Sequence, residues 1–433
     1  MNEFPRVIII SNNSISKSSN TGRTLANLFT GWPKDRLAQF CISTTEPDYD
    51  VCENYYLLTD RSVFDGFKHF RKGKRCDIDA NKGTEGNTVV GGNVVKKTPL
   101  KMLLRQMVWC GKRWRSEEFV KWIDSFNPEI VFLWNSDCIF ILDIARTISE
   151  RKRIPIVMYN TEGYYCYEKN IYKTDKLFGS LFYPIFHSLY KRHFRKMMKR
   201  VCLSIHLNSM LRDDYHRVFG GKDMVLYTGS NLKFDSSNLH LEAPIFSYLG
   251  NLAFDRHSAL IEIAEVLQSI NKTYILDVYG QAPSKKVETE LKDCSGIEFH
   301  GMVPYNDVIK VIYNSTILFH AETHNKKMLY FLRYGFSTKI ADSIASGHPF
   351  LMYSPIDIAG AKYVVETGAA WYAKDKVILK NEIVSILSKD DERHRVLDIA
   401  KQTALNNHDA KMNSLIIQKQ LREVSIENTT IKY

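Results

Sequence analysis

Ser337, Lys339 and Asp342 fall within one short stretch, Tyr334-Gly-Phe-Ser-Thr-Lys-Ile-Ala-Asp-Ser-Ile-Ala-Ser-Gly-His-Pro-Phe350, and their types and spacing suit the binding of an anion. Ser337 or Thr338 is a good helix N-cap, and Ile340, Ile344 and Ala345 recur at helical spacing. A capped helix start aims backbone N–H groups and a partial positive charge at whatever lies before it, which suits phosphate. Lys339 in the first turn opposes the helix dipole, so its charge has another use. One turn on, Asp342 can accept hydrogen bonds from sugar hydroxyls. The pattern predicts a site for a phosphate beside a polyol. Gly347 then closes the helix, and Pro349 opens an apolar run, Phe350 to Tyr353, with the character of a buried strand.

The same stretch resembles the signature of the retaining GT-B glycosyltransferases of group 1, or family 4: Gly-Phe-Gly, four residues, Glu-Ala, three residues, Gly-x-Pro. Gly335, Phe336, Gly347 and Pro349 match, and Asp342 takes the place of the second glutamate of the family's acidic pair. Ser337-Thr-Lys-Ile340 is similar to a subgroup variant. At the first glutamate's position stands Tyr334. The nearest upstream acid is Glu322, after the apolar run ending Phe319-His-Ala, and it fills the role if Met328 to Arg333 is an inserted loop. The match is good from Ile245 to Tyr353, including Tyr279-Gly280 and His300-Gly-Met-Val-Pro304, and loose over the N-terminal half.

The resemblance implies further roles. The family holds its donor diphosphate with an arginine after the first strand of the second domain and a lysine five residues on; here those positions are Asn251 and Arg256. Arg256 keeps one cation, able to grip phosphate with two hydrogen bonds, and Lys339 supplies another. The other reading is a surface Arg256 beside Asp255 and a solvated Lys339. Donor contacts are expected at Gly22, Gly250, Asn251, Arg256, Ser337, Thr338, Lys339, Ile340 and Asp342. Glu322 is expected on a hydroxyl of the donor sugar, forming the catalytic set with Arg256 and Lys339. Leaving-group charge would be met by those two cations and the backbone amides before Ile340. No separate base is visible, in keeping with a family mechanism in which the leaving phosphate takes the acceptor's proton. No metal motif is visible, and neither metal nor cofactor is expected.

These residues need a doubly wound α/β framework to position them. Arg6 to Ile10 reads as a buried parallel strand, followed by a polar loop, Gly22, and a helix with Leu25, Leu28 and Phe29 inward. Further strands are expected at Leu37–Ser43, Tyr55–Leu58, Glu129–Trp134, Ile154–Tyr159 and Val201–Ile205. A polar link, Ser230 to Pro244, leads to a second unit starting at Ile245, with strands at Thr273–Tyr279, Ile297–Phe299 and Thr316–His320. The expected division is an acceptor-side Rossmann-like domain over 1–235, a nucleotide-sugar-binding one over 236–410, and a helix and tail over 411–433. The implied fold class is GT-B, two Rossmann-like domains facing a cleft. Phe64 to Lys101, basic and then rich in glycine and asparagine, is expected as a mobile or extended basic insertion.

Ligands of open α/β sheets gather at C-terminal strand ends, which puts Glu162 and Asp137 on the acceptor side; the other reading of each is a turn cap. Leu177 to Arg200 contains no acid, and its last ten residues include Lys191, Arg192, Arg195, Lys196, Lys199 and Arg200. On a helix these cations fill one half, with Tyr190, Phe194, Met197 and Met198 on the other. That is the composition of an interfacial membrane segment, or of a domain helix with a wet basic face.

The 433 residues are 44% hydrophobic and 25% charged, ordinary for a soluble two-domain chain, and carry a net charge of +11. That charge favours nucleotide sugars, acidic lipid headgroups or nucleic acid as partners. Eight cysteines without paired spacing fit reduced thiols, and no run reaches the ~20 apolar residues of a membrane span. The expectation is a cytoplasmic enzyme, peripheral on the inner face of the membrane, transferring a sugar from a nucleotide diphosphate donor to a lipid-linked or polysaccharide precursor. The rivals are a GT-B nucleotide-sugar epimerase, a non-catalytic sugar-nucleotide sensor, and a basic nucleic-acid-binding protein. Dispersed basic residues and the lack of a zinc-finger or RNP-type motif disfavour the last.

Overall fold

Largely apolar runs build the central strands of both sheets of this chain, because parallel strands there are buried on both faces. The computed structural model describes residues 4–16, 20–42, 46–69, 74–76, 97–110, 114–172, 176–237 and 239–431. It divides into two units, Met1–Leu226 with Asn413–Tyr433, and Tyr227–Met412.

The first unit contains β1 (Val7–Ile10), β2 (Leu37–Cys41), β3 (Asn54–Leu57), β4 (Lys74–Cys76), β5 (Ile130–Trp134), β6 (Ile156–Asn160), β7 (Val201–His206) and β8 (Asp223–Val225). Their order is β4-β3-β2-β1-β5-β6-β7-β8, parallel throughout except for the edge strand β4, which runs antiparallel to β3. Strands β1, β2, β5 and β6 are buried at every position. The chain winds outward from β1 to β4 and restarts on β1's other side with β5. The strand order therefore reverses between β1 and β5, where such sheets open a crevice.

The second unit contains β9 (Phe246–Leu249), β10 (Leu276–Tyr279), β11 (Ile297–Gly301), β12 (Ile317–Ala321), β13 (Phe350–Tyr353) and β14 (Trp371–Ala373). All are parallel, in the order β11-β10-β9-β12-β13-β14, so this sheet reverses between β9 and β12. Phe246, Leu260, Ile263, Phe319 and Leu351 are central to its core.

The stretch expected as a mobile or extended insertion is largely regular where it is described. Asp60–His69 and Pro99–Cys110 are helices, and Lys74–Cys76 adds β4. Met102, Gln106 and Trp109 are buried along one face of the second helix, a periodicity that the basic and glycine-rich composition next to it obscured. Residues 70–73 and 77–96 of that stretch lie outside the described residues.

Two connecting segments meet inside the second unit. Ser230 pairs with Asp409 in a parallel bridge; its N–H donates to the His408 carbonyl at 2.7 Å, and Ala410 donates to the Ser230 carbonyl at 3.2 Å. The terminal helix Ala410–Ile431 belongs from Asn413 onward to the first unit, where the Ser414 hydroxyl donates to the Thr30 carbonyl at 2.7 Å.

Candidate active site

In the second unit the two strands flanking the reversal each deliver one charged residue. Gly250 follows β9, and a Cβ there would lie 2.7 Å from the Tyr248 hydroxyl, so any larger residue has to displace that buried ring. Phe254 and Asp255 both adopt left-handed backbone at φ 64°, strained for residues with side chains, just before the helix Arg256–Ile270. Arg256 donates Nε to Glu322 Oε2 at 2.7 Å and Nη2 to Oε1 at 2.8 Å. Its Nη1 lies 3.3 Å from the Asn251 carbonyl. Glu322 comes directly after β12, so the pair closes over the reversal between β9 and β12.

Glu322 is 5% exposed. Burial pushes its carboxyl up, but the His320 hydrogen bond and the Arg256 charge outweigh burial and hold it below the usual range. His320 Nε2 is 3.2 Å from Oε1, and an ionised carboxylate only accepts, so Nε2 carries the proton. The other ring nitrogen, Nδ1, is buried without a hydrogen-bond partner among the described residues.

The helix Thr338–Ser346 is capped by Ser337, whose Oγ accepts from the Lys339 N–H at 3.2 Å, and it ends at Gly347 with φ 87°. The Ile340 N–H goes to the Ser337 carbonyl at 3.0 Å. Two of the amides expected to face a phosphate are thus spent within the cap, a correction that leaves the Lys339 side chain as the stronger anion group. Asp342 is 8% exposed; its Oδ1 accepts from the Ser230 hydroxyl at 2.8 Å and its Oδ2 lies 3.4 Å from Lys339 Nζ. Each acid therefore has its own cation, Glu322 with Arg256 and Asp342 with Lys339.

Tyr334, at the family's first-glutamate position, is fully buried, with the Arg333 guanidinium 4.5 Å from its ring centre. The expected inserted loop before it is instead a helix, Lys326–Leu332, capped by the Asn325 side chain. A run mixing Lys, Met, Leu, Tyr and Phe held the helical period, and only its short length hid it.

The first unit also presents polar groups at its strand ends. Asn12, after β1, donates Nδ2 to the Cys138 sulfur at 3.6 Å, crossing the reversal between β1 and β5. Asp137, after β5, is buried and held by Lys97 Nζ at 2.8 Å. Glu162, after β6, accepts from the Tyr167 hydroxyl at 3.5 Å; burial, with the Asp137 charge adding, pushes its carboxyl up to about 7 against the Tyr167 hydrogen bond. Asn160 receives Asn135 Nδ2 at 2.9 Å on its Oδ1, while its own Nδ2 is buried without a partner among the described residues. Asn135 and Asn160 were missed from the sequence, although each stands at the end of an apolar strand, where a polar residue signals a crevice. Gly22 lies in the first turn of the helix Asn20–Leu28 that follows β1.

The basic stretch forms the helix Lys176–Met198. Tyr190, Phe194 and Met197 are buried, and the Phe194 ring packs on Tyr165, Tyr215 and Phe219, so the apolar side faces its own unit. Arg192, Arg195, Lys196 and Lys199 are exposed, in line with the exposed Leu181 and Ile185. Some of the cations are also held by their own unit. Arg200 donates to the Ser149 hydroxyl at 2.9 Å, Arg195 donates Nε to the Tyr165 hydroxyl at 2.8 Å, and Lys191 sits 5.3 Å over the Tyr165 ring.

Among the described residues, one group has metal-ligand spacing: Asp277, Glu298 and His300 on β10 and β11, with ligand atoms within 4.8 Å of one another. His300 Nε2 already lies 2.7 Å from Asp277. No helix of the described residues is long and apolar enough to cross a membrane.

No protein-family model and no curated protein matches the chain. Solved structures do. Anabaena HepE in complex with UDP and glucose superposes with a TM-score of 0.60 at 13% identity, covering 97% of this chain and 100% of HepE. Sucrose-phosphate synthase from Thermosynechococcus elongatus gives 0.61 at 12% identity, covering 96% and 98%. WaaG, a glycosyltransferase involved in lipopolysaccharide biosynthesis, gives 0.55 at 13% identity, covering 95% and 99%. Identities this low speak for architecture alone, and the architecture is plain: the chain has the two-domain α/β fold of the GT-B glycosyltransferases.

Proposed function

We propose that this protein is a retaining glycosyltransferase that moves a sugar from a nucleoside diphosphate sugar to a lipid-linked or saccharide acceptor. What carries the reading is the convergence of Arg256 and Glu322 at the strand-order reversal of the second sheet, with Lys339 and Asp342 on the capped helix between β12 and β13. Arg256 and Lys339 meet the charge that develops on the departing diphosphate, and Asp342 accepts from the ribose hydroxyls. HepE has been captured with UDP and with UDP-glucose, which supports a nucleotide-sugar donor here. On the acceptor side, Glu162 and Asp137 at the ends of β6 and β5 offer hydrogen bonds to a sugar or its carrier. The leaving phosphate itself takes the acceptor's proton, so no further base is required.

The exposed stripe from Leu181 to Lys199 supports attachment to an anionic membrane surface, where a lipid-linked acceptor would be found. Incubation with a panel of nucleotide sugars, with and without lipid extract, tests the activity. Release of nucleoside diphosphate only when acceptor is supplied, with the anomeric configuration kept in the product, is expected. Interconversion of the donor without acceptor would point to an epimerase, and binding without turnover to a sensor.

A further inference from the structure

We infer that Glu322 is a positioning residue for Arg256, not the acid that meets the donor sugar, and that His320 fixes Glu322 in turn. This rests on the donor site proposed above. Both carboxylate oxygens are committed: Oε2 to Arg256 Nε, and Oε1 to Arg256 Nη2 and His320 Nε2. Three of about four acceptor positions are thereby taken, in a residue that solvent barely reaches.

The exchangeable edge belongs to the arginine. Nη1 makes only two long hydrogen bonds, 3.3 Å to the Asn251 carbonyl and 3.5 Å to that of Ala253, the first just past and the second beyond the usual N–H to O range. A ligand oxygen improves on both. An arginine on a flexible stem loses rotamer freedom when it grips phosphate; one already held at Nε and Nη2 has lost it beforehand, so its Nη1 edge binds at lower entropic cost. The left-handed pair Phe254 and Asp255 brings the helix start to where this bidentate contact is made, so the local strain is matched by the ion pair it permits. His320 stands behind the carboxylate and prevents its rotation away from the guanidinium.

The experiment is a double-mutant cycle on the full chain, read by calorimetric titration with free UDP, ADP and GDP. Glu322→Gln is expected to weaken nucleoside diphosphate binding on the order of ten-fold, as Arg256→Gln does, and the double variant to be no weaker than Arg256→Gln alone. His320→Gln, which keeps the ion pair, is expected to lose several-fold in affinity with an unchanged melting temperature. Because either single variant leaves a buried charge unpaired, a crystal structure of the unaltered protein with the bound nucleoside diphosphate is the second arm. Arg256 touching phosphate while still paired with Glu322 is expected; Glu322 turned onto the ligand overturns the inference. So does unchanged diphosphate affinity in Glu322→Gln, a change in melting temperature alone, or additive losses in the cycle. If the unaltered protein binds none of the three nucleotides, the donor site itself falls and this inference with it; binding with additive losses sinks the inference only.

Discussion

Ser230 donates its hydroxyl to Asp342 Oδ1 at 2.8 Å, across 112 residues of sequence, while Lys339 reaches the other oxygen at 3.4 Å. The acid proposed to hold the ribose is thus aimed by a residue at the start of its unit. Ser230→Ala leaves a buried carboxylate short of a donor and is expected to cost roughly 1–3 kcal/mol in stability. Chemical denaturation measures that loss, and Ser230→Thr, which keeps the hydroxyl, is expected to recover most of it.

Asp342→Asn keeps the shape but removes the charge that balances Lys339. Free nucleoside diphosphate is expected to bind about ten-fold more weakly, since a charge-assisted hydrogen bond is worth roughly 1.5–3 kcal/mol. Lys339→Ala is expected to act in the same direction. Titration calorimetry decides it; full affinity in Asp342→Asn would remove this residue from the donor site.

Glu162 offers a pH-dependent prediction. Its carboxyl is raised to about 7 in the folded protein against about 4.5 when unfolded, so the folded state holds its proton more tightly. The resulting stability is fully present below the unfolded value and is lost as pH rises through about 7. Glu162→Gln, which cannot ionise, is expected to melt about 2–4 °C higher than the parent at pH 8 and to equal it at pH 4. Calorimetric scans at the two pH values check this. A shift of the same size at both would mean that burial of the ionised form is not the cause.

The proposed membrane attachment divides the basic stretch into two classes of residue. Each cation near an anionic leaflet is worth about 1 kcal/mol, so converting Arg192, Lys196 and Lys199 together to Gln is expected to release the protein from anionic vesicles at low salt. Arg200 is tied to Ser149, and Arg200→Gln is expected to lower the melting temperature while leaving vesicle binding largely intact. Sedimentation with vesicles containing anionic lipid, alongside thermal unfolding, separates the two effects.

Much of the framework is legible in residue order, because central parallel strands are largely apolar and helix caps leave local marks. The runs at Val7, Ile130, Phe246 and Phe350, the cap at Ser337 and the αL Gly347 are all local features. The Arg256–Glu322 pair is not local. It depends on β9 lying beside β12, a neighbourhood settled by sheet topology 66 residues of chain apart. The same holds for Ser230 and Asp342. Tyr334 illustrates the opposite case: alignment to a motif placed it where an acid belongs, while its chemistry made it a core residue. Arg200 counted as a surface cation by composition and became a half-buried hydrogen-bond donor through the packing around Ser149.

The bridge between Ser230 and Asp409 has a consequence for how the gene can be cut. Neighbouring strands lie about 4.8 Å apart, so the chain enters and leaves the second unit almost at one point. Seen as a piece of polypeptide, Tyr227–Met412 is an insert whose ends already touch, and closing such a loop carries little entropic cost. Recombination at those two boundaries exchanges the whole second unit as one cassette, and the ladder from Ser230 to Ala410 travels with it intact.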